Sequence, residues 1–276
     1  MPLMNIEDYP PQAPRPEASE AYLRLVIEQC RGIDGIDVAY GDDIYQHIAL
    51  FVPDAPNGTV LAFIHGGRWS YGYKETAAFM APAFNAAGII FASIGHRLSP
   101  NRYKDGFADV SQGIAWLANN VADYGGDAQR IFVSGHSSGG HYAAQLAATR
   151  DWQAGEGISR EVIRGCLPIS GVYDLTTEGY KGEGRPPCIE EGGDGFTESP
   201  VNRLKETPPP FLITWGSDDY PFLIPQGQAF AEAVRNAGGE AETLELPGKT
   251  HFTVHNEGAA ANGGWTKRAL AWIDAH

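Results

Sequence analysis

The chain reads as an α/β protein, with about eight strands and crossover helices forming a mostly parallel sheet covered on both faces. Three observations predict this. Strand-like and helix-like segments alternate from about residue 59 to the end. Residues 89–94 form a near-continuous apolar run, the pattern of a strand buried on both faces. The apolar run Ile131-Phe132-Val133-Ser134 passes through Gly135-His136-Ser137-Ser138-Gly139 into a helix-compatible stretch over 140–148, which is a strand–turn–helix step.

Taken in order, residues 1–35 form an N-terminal arm and helix. The proline-rich part, residues 10–16, reads as extended and lying on the surface. Residues 17–31 read as a helix with Tyr22, Leu23, Val26 and Ile27 on one side. Strands are predicted at 36–40 and 46–52, and a dense turn signal over 53–58 precedes a third at 59–64. The run at 89–94 is the fourth. Phe107, Val110, Ile114, Leu117 and Val121 recur at helical spacing within 105–123, and Gly125-Gly126 closes that helix. Residues 130–134, 164–169, 211–215 and 241–246 supply the remaining strands. Pro225 suits the first position of the next helix and Gly238-Gly239 its end, and a last helix is expected at about 262–275. Residues 174–209 break the alternation. Gly179, Gly182, Gly184, Gly192, Gly193 and Gly195 are mixed there with Pro186, Pro187 and Pro200, as in an irregular, lid-like excursion over a site. With no repeat and no second core, the expectation is one domain spanning 1–276.

The chemistry concentrates at strand ends. A serine on a sharp strand-to-helix turn, flanked by glycines where a side chain would collide, is a nucleophile elbow; the competing reading is a serine that only caps the helix. Upstream, residues 60–64 run into His65-Gly66-Gly67-Arg68-Trp69, a loop type that aims backbone N–H groups at a developing oxyanion, with the residue after the nucleophile completing the hole. Downstream, Gly216-Ser217-Asp218-Asp219 offers a carboxylate at a strand end, and Pro247-Gly248-Lys249-Thr250-His251 offers a histidine in a loop past the next strand. The order Ser, Asp, His is that of α/β-hydrolases. Asp218 and Asp219 compete for the acid. His255 rivals His251, and the two at i, i+4 could hold zinc, but no third ligand lies nearby in sequence. His255 reads as a polar residue near the start of the last segment.

A net charge of −14 argues against nucleic acid, and no apolar run approaches membrane-spanning length. Three cysteines without C-x-x-C spacing and an N-terminus lacking a signal pattern lead to an expected cytoplasmic, thiol-reduced protein. The glycines of the elbow lack the G-x-G-x-x-G spacing of a dinucleotide site, which disfavours a dehydrogenase.

These motifs resemble those of the kynurenine formamidase (arylformamidase) and small carboxylesterase group. The likeness spans about residues 58 to 276 and is carried by the H-G-G-x-W stretch, the elbow continued through Gly140-His141, Gly216-Ser217-Asp218-Asp219-Tyr220-Pro221 and His251-Phe252. The resemblance implies an α/β-hydrolase fold, a triad of Ser137, Asp219 and His251, and oxyanion donors at the backbone of Gly67, Arg68 and Ser138. It selects Asp219 over Asp218 and implies no cofactor and no metal. Two positions depart from it: the elbow reads G-H-S-S-G-G-H rather than G-H-S-A-G-A-H, and Arg68 stands where tyrosine is usual. Arg68, Trp69 and Tyr71 are the candidate substrate contacts, Arg68 either toward a substrate carboxylate or turned to solvent or a nearby acid. The expected partner is a small ester, formamide or amide, cleaved through an acyl-enzyme, with a homodimer left open. The alternative is a catalytically inactive binding protein on the same fold.

Overall fold

The computed structural model describes residues 1–182 and 186–276. Eight strands form one sheet in the order β1-β2-β4-β3-β5-β6-β7-β8. They are β1 Ile36–Ala39, β2 His47–Phe51, β3 Gly58–Ile64, β4 Ile90–Ile94, β5 Gly126–His136, β6 Ile163–Ile169, β7 Phe211–Asp218 and β8 Ala241–Thr250. β1 and β2 are antiparallel to their neighbours, and every pairing from β4 to β8 is parallel. An eight-stranded, mostly parallel sheet with helices on both faces is the α/β-hydrolase fold that the sequence predicts.

The period-2 alternation of the strands divides the core. Val60, Ala62 and Ile64 of β3 face one layer, where they meet α3 (Tyr103–Asn120), α4 (Ser138–Ala148) and α5 (Leu223–Asn236). Leu61 and Phe63 face the other, where Phe84 of α2 (Ala81–Asn85), Val26 of α1 (Glu17–Gln29) and Trp265 and Trp272 of α7 (Gly264–Ala275) close over them. All five residues of β4 are buried, because both layers cover it.

Three expectations need correction. Pro225 lies at the third position of α5, which opens at Leu223; the first turn still needs no N–H from it. Pro247 and Gly248 fall within β8 rather than in a loop. β8 is an edge strand, where proline costs no ladder bond, and the positive φ of Gly248 (67°) bends it. The N-terminal arm is also pinned rather than merely laid on the surface. Tyr9 is buried and its hydroxyl donates to Glu75 Oε1 (3.1 Å) while accepting from Lys74 Nζ (2.8 Å). Lys74 is itself buried and pairs with Asp37 (2.9 Å) and Glu75. Gln12 clips the arm further, bonding both the N–H and the carbonyl of Gly72 at 2.9 Å.

Candidate active site

The C-terminal ends of β3, β5 and β7 and the end of edge strand β8 converge on one cleft of about 480 Å³. Ser137 sits between β5 and α4 with φ 56° and ψ −119°, a backbone conformation that non-glycine residues rarely adopt. Its strain is held by main-chain bonds on both sides: Ser137 N donates to Ile169 O and His141 N to Ser137 O, each 3.0 Å. α4 then runs against β3 so closely that a Cβ at Gly139 would collide with the Ile64 carbonyl oxygen, which requires glycine there.

His251 lies not in a loop but at the first position of a short helix, α6 (His251–Asn256), because Thr250 caps it: Thr250 Oγ1 accepts from Thr253 N at 3.3 Å. The imidazole spans the other two groups. Ser137 Oγ donates to His251 Nε2 at 2.9 Å, and His251 Nδ1 donates to Asp219 Oδ1 at 2.8 Å. Asp219 also accepts from Tyr220 N (2.7 Å) and from the Ser170 hydroxyl. Burial works to raise its pKa, yet the bonds from His251, Ser170 and the Tyr220 N–H outweigh it and hold the carboxyl below its usual range. Asp218, the rival, is exposed, and its carboxylate accepts from Ser217 Oγ at 3.1 Å rather than from His251.

The loop after β3 is shaped by its carbonyls. His65 Nδ1 donates to Gly66 O (2.8 Å), and Gly67 O accepts from Ser70 N and Tyr71 N (3.0 Å each). A trans peptide points its N–H opposite its carbonyl, so pinning these two carbonyls fixes the direction of the Gly67 and Arg68 N–H groups. Gly67 has φ 129°, and a Cβ there would strike the Tyr71 carbonyl oxygen. Ser138 opens α4, so its N–H has no intrahelical acceptor. All three residues line the cleft beside Ser137, as do Trp69 and Tyr71.

Buried neutral histidines hold these parts in place. Trp69 Nε1 donates to His141 Nδ1 (3.1 Å), which leaves His141 Nε2 to donate to Glu198 O (2.7 Å). Burial draws its pKa down to about 4. His136 Nε2 donates to the His251 carbonyl (2.8 Å), and burial holds it well below the usual value. His255 is not a polar residue at the edge of the last segment. It is buried in α6, stacked between Phe63 (5.2 Å) and His136 (4.6 Å) and bonded through Nδ1 to the Tyr22 hydroxyl (2.6 Å). Burial, helped by nearby His251, brings its pKa to about 3. His251 and His255 are thus engaged with different partners rather than aimed at a common point.

Arg68 turns its side chain toward Tyr180 of the 174–209 excursion. Burial pushes the Tyr180 phenol up, and the charge and hydrogen bond of Arg68 draw it down. Tyr180, Lys181 and Gly182 reach the cleft; Gly184 of the same stretch, with the rest of 183–185, lies outside the described residues. Sequence reasoning missed three contributors. Ser170 (φ 49°) steadies Asp219, α1 forms a wall of the cleft, and the Lys74 cluster anchors the arm that leads into α1. Only the apolar side of α1 carried a signal.

Sheet order, elbow and the Ser–His–Asp contact define an α/β-hydrolase. Residues 48–177 match the family model described as BD-FAE. The chain is similar to isoprenylcysteine alpha-carbonyl methylesterase ICME of Arabidopsis thaliana, 32% identical over 237 residues, covering 78% of this chain and 55% of that protein. It is also similar to esterase LipC of Mycobacterium tuberculosis, 31% identical over 259 residues, covering 85% of this chain and 63% of that one. The chain therefore spans somewhat more than half the length of these relatives. A novel thermophilic esterase of Thermogutta terrifontis, Est2 with butyrate bound, superposes with a TM-score of 0.71 at 23% identity, covering 89% of this chain and 93% of the other. Among the described residues, no helix is long and apolar enough to cross a membrane.

Proposed function

We propose that this protein is a serine hydrolase that cleaves small carboxylic esters through an acyl-enzyme. The observation that carries the reading is the unbroken relay from Ser137 Oγ through His251 to Asp219, at 2.9 and 2.8 Å, beside a loop whose N–H directions are fixed. His251 takes the Ser137 proton as Oγ attacks the ester carbonyl carbon. The negative charge that develops on the carbonyl oxygen meets the N–H groups of Gly67, Arg68 and Ser138, each such donor contributing about 3 kcal/mol to transition-state stabilisation. His251 then gives its proton to the leaving alcohol. Water then gives a proton to the same imidazole as its oxygen attacks the acyl carbon; the bond from that carbon to Ser137 Oγ breaks, His251 returns the proton to Oγ, and the acid leaves. Asp219 stays ionised throughout, orienting the ring and stabilising its protonated form. Similarity to esterases in the relatives supports the ester as substrate.

The test is covalent labelling with a fluorophosphonate, followed by turnover of short p-nitrophenyl esters, on the wild type and on Ser137→Ala. Labelling at Ser137 that disappears in the variant is the expected result; labelling that persists removes the reading. The narrower arylformamidase activity rests on the motif resemblance, and N-formylkynurenine turned over no faster than the esters would exclude it.

A further inference from the structure

The cleft has a wall that the proposed chemistry does not use. α1 presents Ser19, Tyr22, Leu23 and Val26 to it, at i, i+3, i+4 and i+7, which is one face of a helix. The same cleft is lined by Ala77, from the 3-10 turn Lys74–Met80, and by Phe252 of α6, whose ring stacks on Tyr22 at 4.9 Å and meets His251 edge-on at 5.4 Å. The charges of α1 are turned away: Arg24 and Glu20 pair at 3.6 Å on its exposed side. On the α1 face the polar atoms are matched, Tyr22 with His255 Nδ1 at 2.6 Å and Ser19 Oγ with the Tyr71 hydroxyl at 3.3 Å, whereas His255 Nε2 behind them is buried without a hydrogen-bond partner among the described residues. None of α1, the Lys74–Met80 turn and α6 contributes a carboxylate, lysine or arginine to the cleft lining. α1 is not a loose flap either, because Tyr9 and Gln12 tie the preceding arm to the body of the protein.

We infer that this wall is a subsite for an apolar chain of the ester, and that Leu23 sets the length of chain it accepts. An amphipathic helix normally buries its apolar stripe in the core, yet Val26 is the only buried residue of α1. Tyr22 and Leu23 remain half-buried because their stripe faces the cleft beside His251. A chain laid along it covers that stripe and Phe252, and is excluded from water. The inference rests on the esterase reading above, and names the substituent that reading leaves open.

The experiment uses two series: p-nitrophenyl acetate to octanoate, which lengthens the acyl side, and methyl to hexyl acetate, which lengthens the alcohol side. Active sites are counted by fluorophosphonate labelling, so that each rate refers to folded enzyme. In one of the two series kcat/KM rises about fourfold per added methylene until the subsite is full, the increment expected for burying a CH₂ group. The series that rises identifies which side of the ester occupies the wall. Leu23→Trp moves the maximum to a shorter chain and Leu23→Ala moves it to a longer one. Maxima that stay in place in both variants, or two flat series, overturn the subsite while leaving the esterase intact. Absence of labelling at Ser137 in the wild type removes the esterase reading, and the subsite with it.

Discussion

Acidification from pH 8 to pH 5 should destabilise this protein well before its carboxylates protonate, because five histidines are buried as neutral rings. His65, His96, His136, His141 and His255 all have lowered pKa values, with burial the largest cause in each. His141 comes down to about 4 and His255 to about 3. In the unfolded chain each would titrate near 6.5. Below that pH the unfolded state binds more protons than the folded one, so stability is fully present above about pH 6.5 and is lost as pH falls toward the folded values. At pH 5 an unfolded histidine is almost wholly protonated while His141 and His255 are still neutral, a difference of about 2 kcal/mol for each. These two alone therefore remove about 4 kcal/mol, or roughly 8–16 °C of Tm for a protein of this size. Urea unfolding followed by the fluorescence of the six tryptophans at pH 8, 6.5 and 5 measures it. His255→Phe, which fits the stack on Phe63, should lower the slope of stability against pH by about 1.2 kcal/mol per unit between pH 6 and 5. Equal stability at pH 8 and pH 5 would refute the neutral buried histidines.

Two further outcomes follow from the site and its anchor. Asp219→Asn should lower kcat about 10⁴-fold by upsetting the His251 tautomer, whereas Asp218→Asn, at an exposed carboxylate, should change it little; steady-state kinetics on p-nitrophenyl acetate compares them. Lys74→Met leaves Asp37 and Glu75 buried without their cation and should cost about 3–5 kcal/mol in urea unfolding at pH 8.

The sheet was readable because strands covered on both faces must be nearly all apolar, as 89–94 is but for Ser93. The site was readable because close backbone approach demands glycine at fixed places, Gly67 and Gly139 among them. What sequence could not show was partnership across the chain. Nothing in the sequence around Lys74 points to a partner, yet Asp37 lies 37 residues upstream to receive it. The period of α1 revealed an apolar side without saying that it faces a cleft, since spacing reports which residues share a face and not what lies opposite. Pro247 and Gly248 read as a loop because local propensity cannot know that β8 is an edge, where such residues are tolerated.

The contact of Gly139 with Ile64 has a mechanical meaning. Ile64 ends the strand that launches the Gly66–Trp69 loop, and Gly139 lies in the first turn of the helix that Ser137 precedes, so attacking oxygen and charge-accepting amides ride on one fused seam of main chain. A displacement of the outer strands would therefore move both together rather than change their separation. His251, delivered from the sheet's rim on a different segment, is then the member whose alignment responds to such motion.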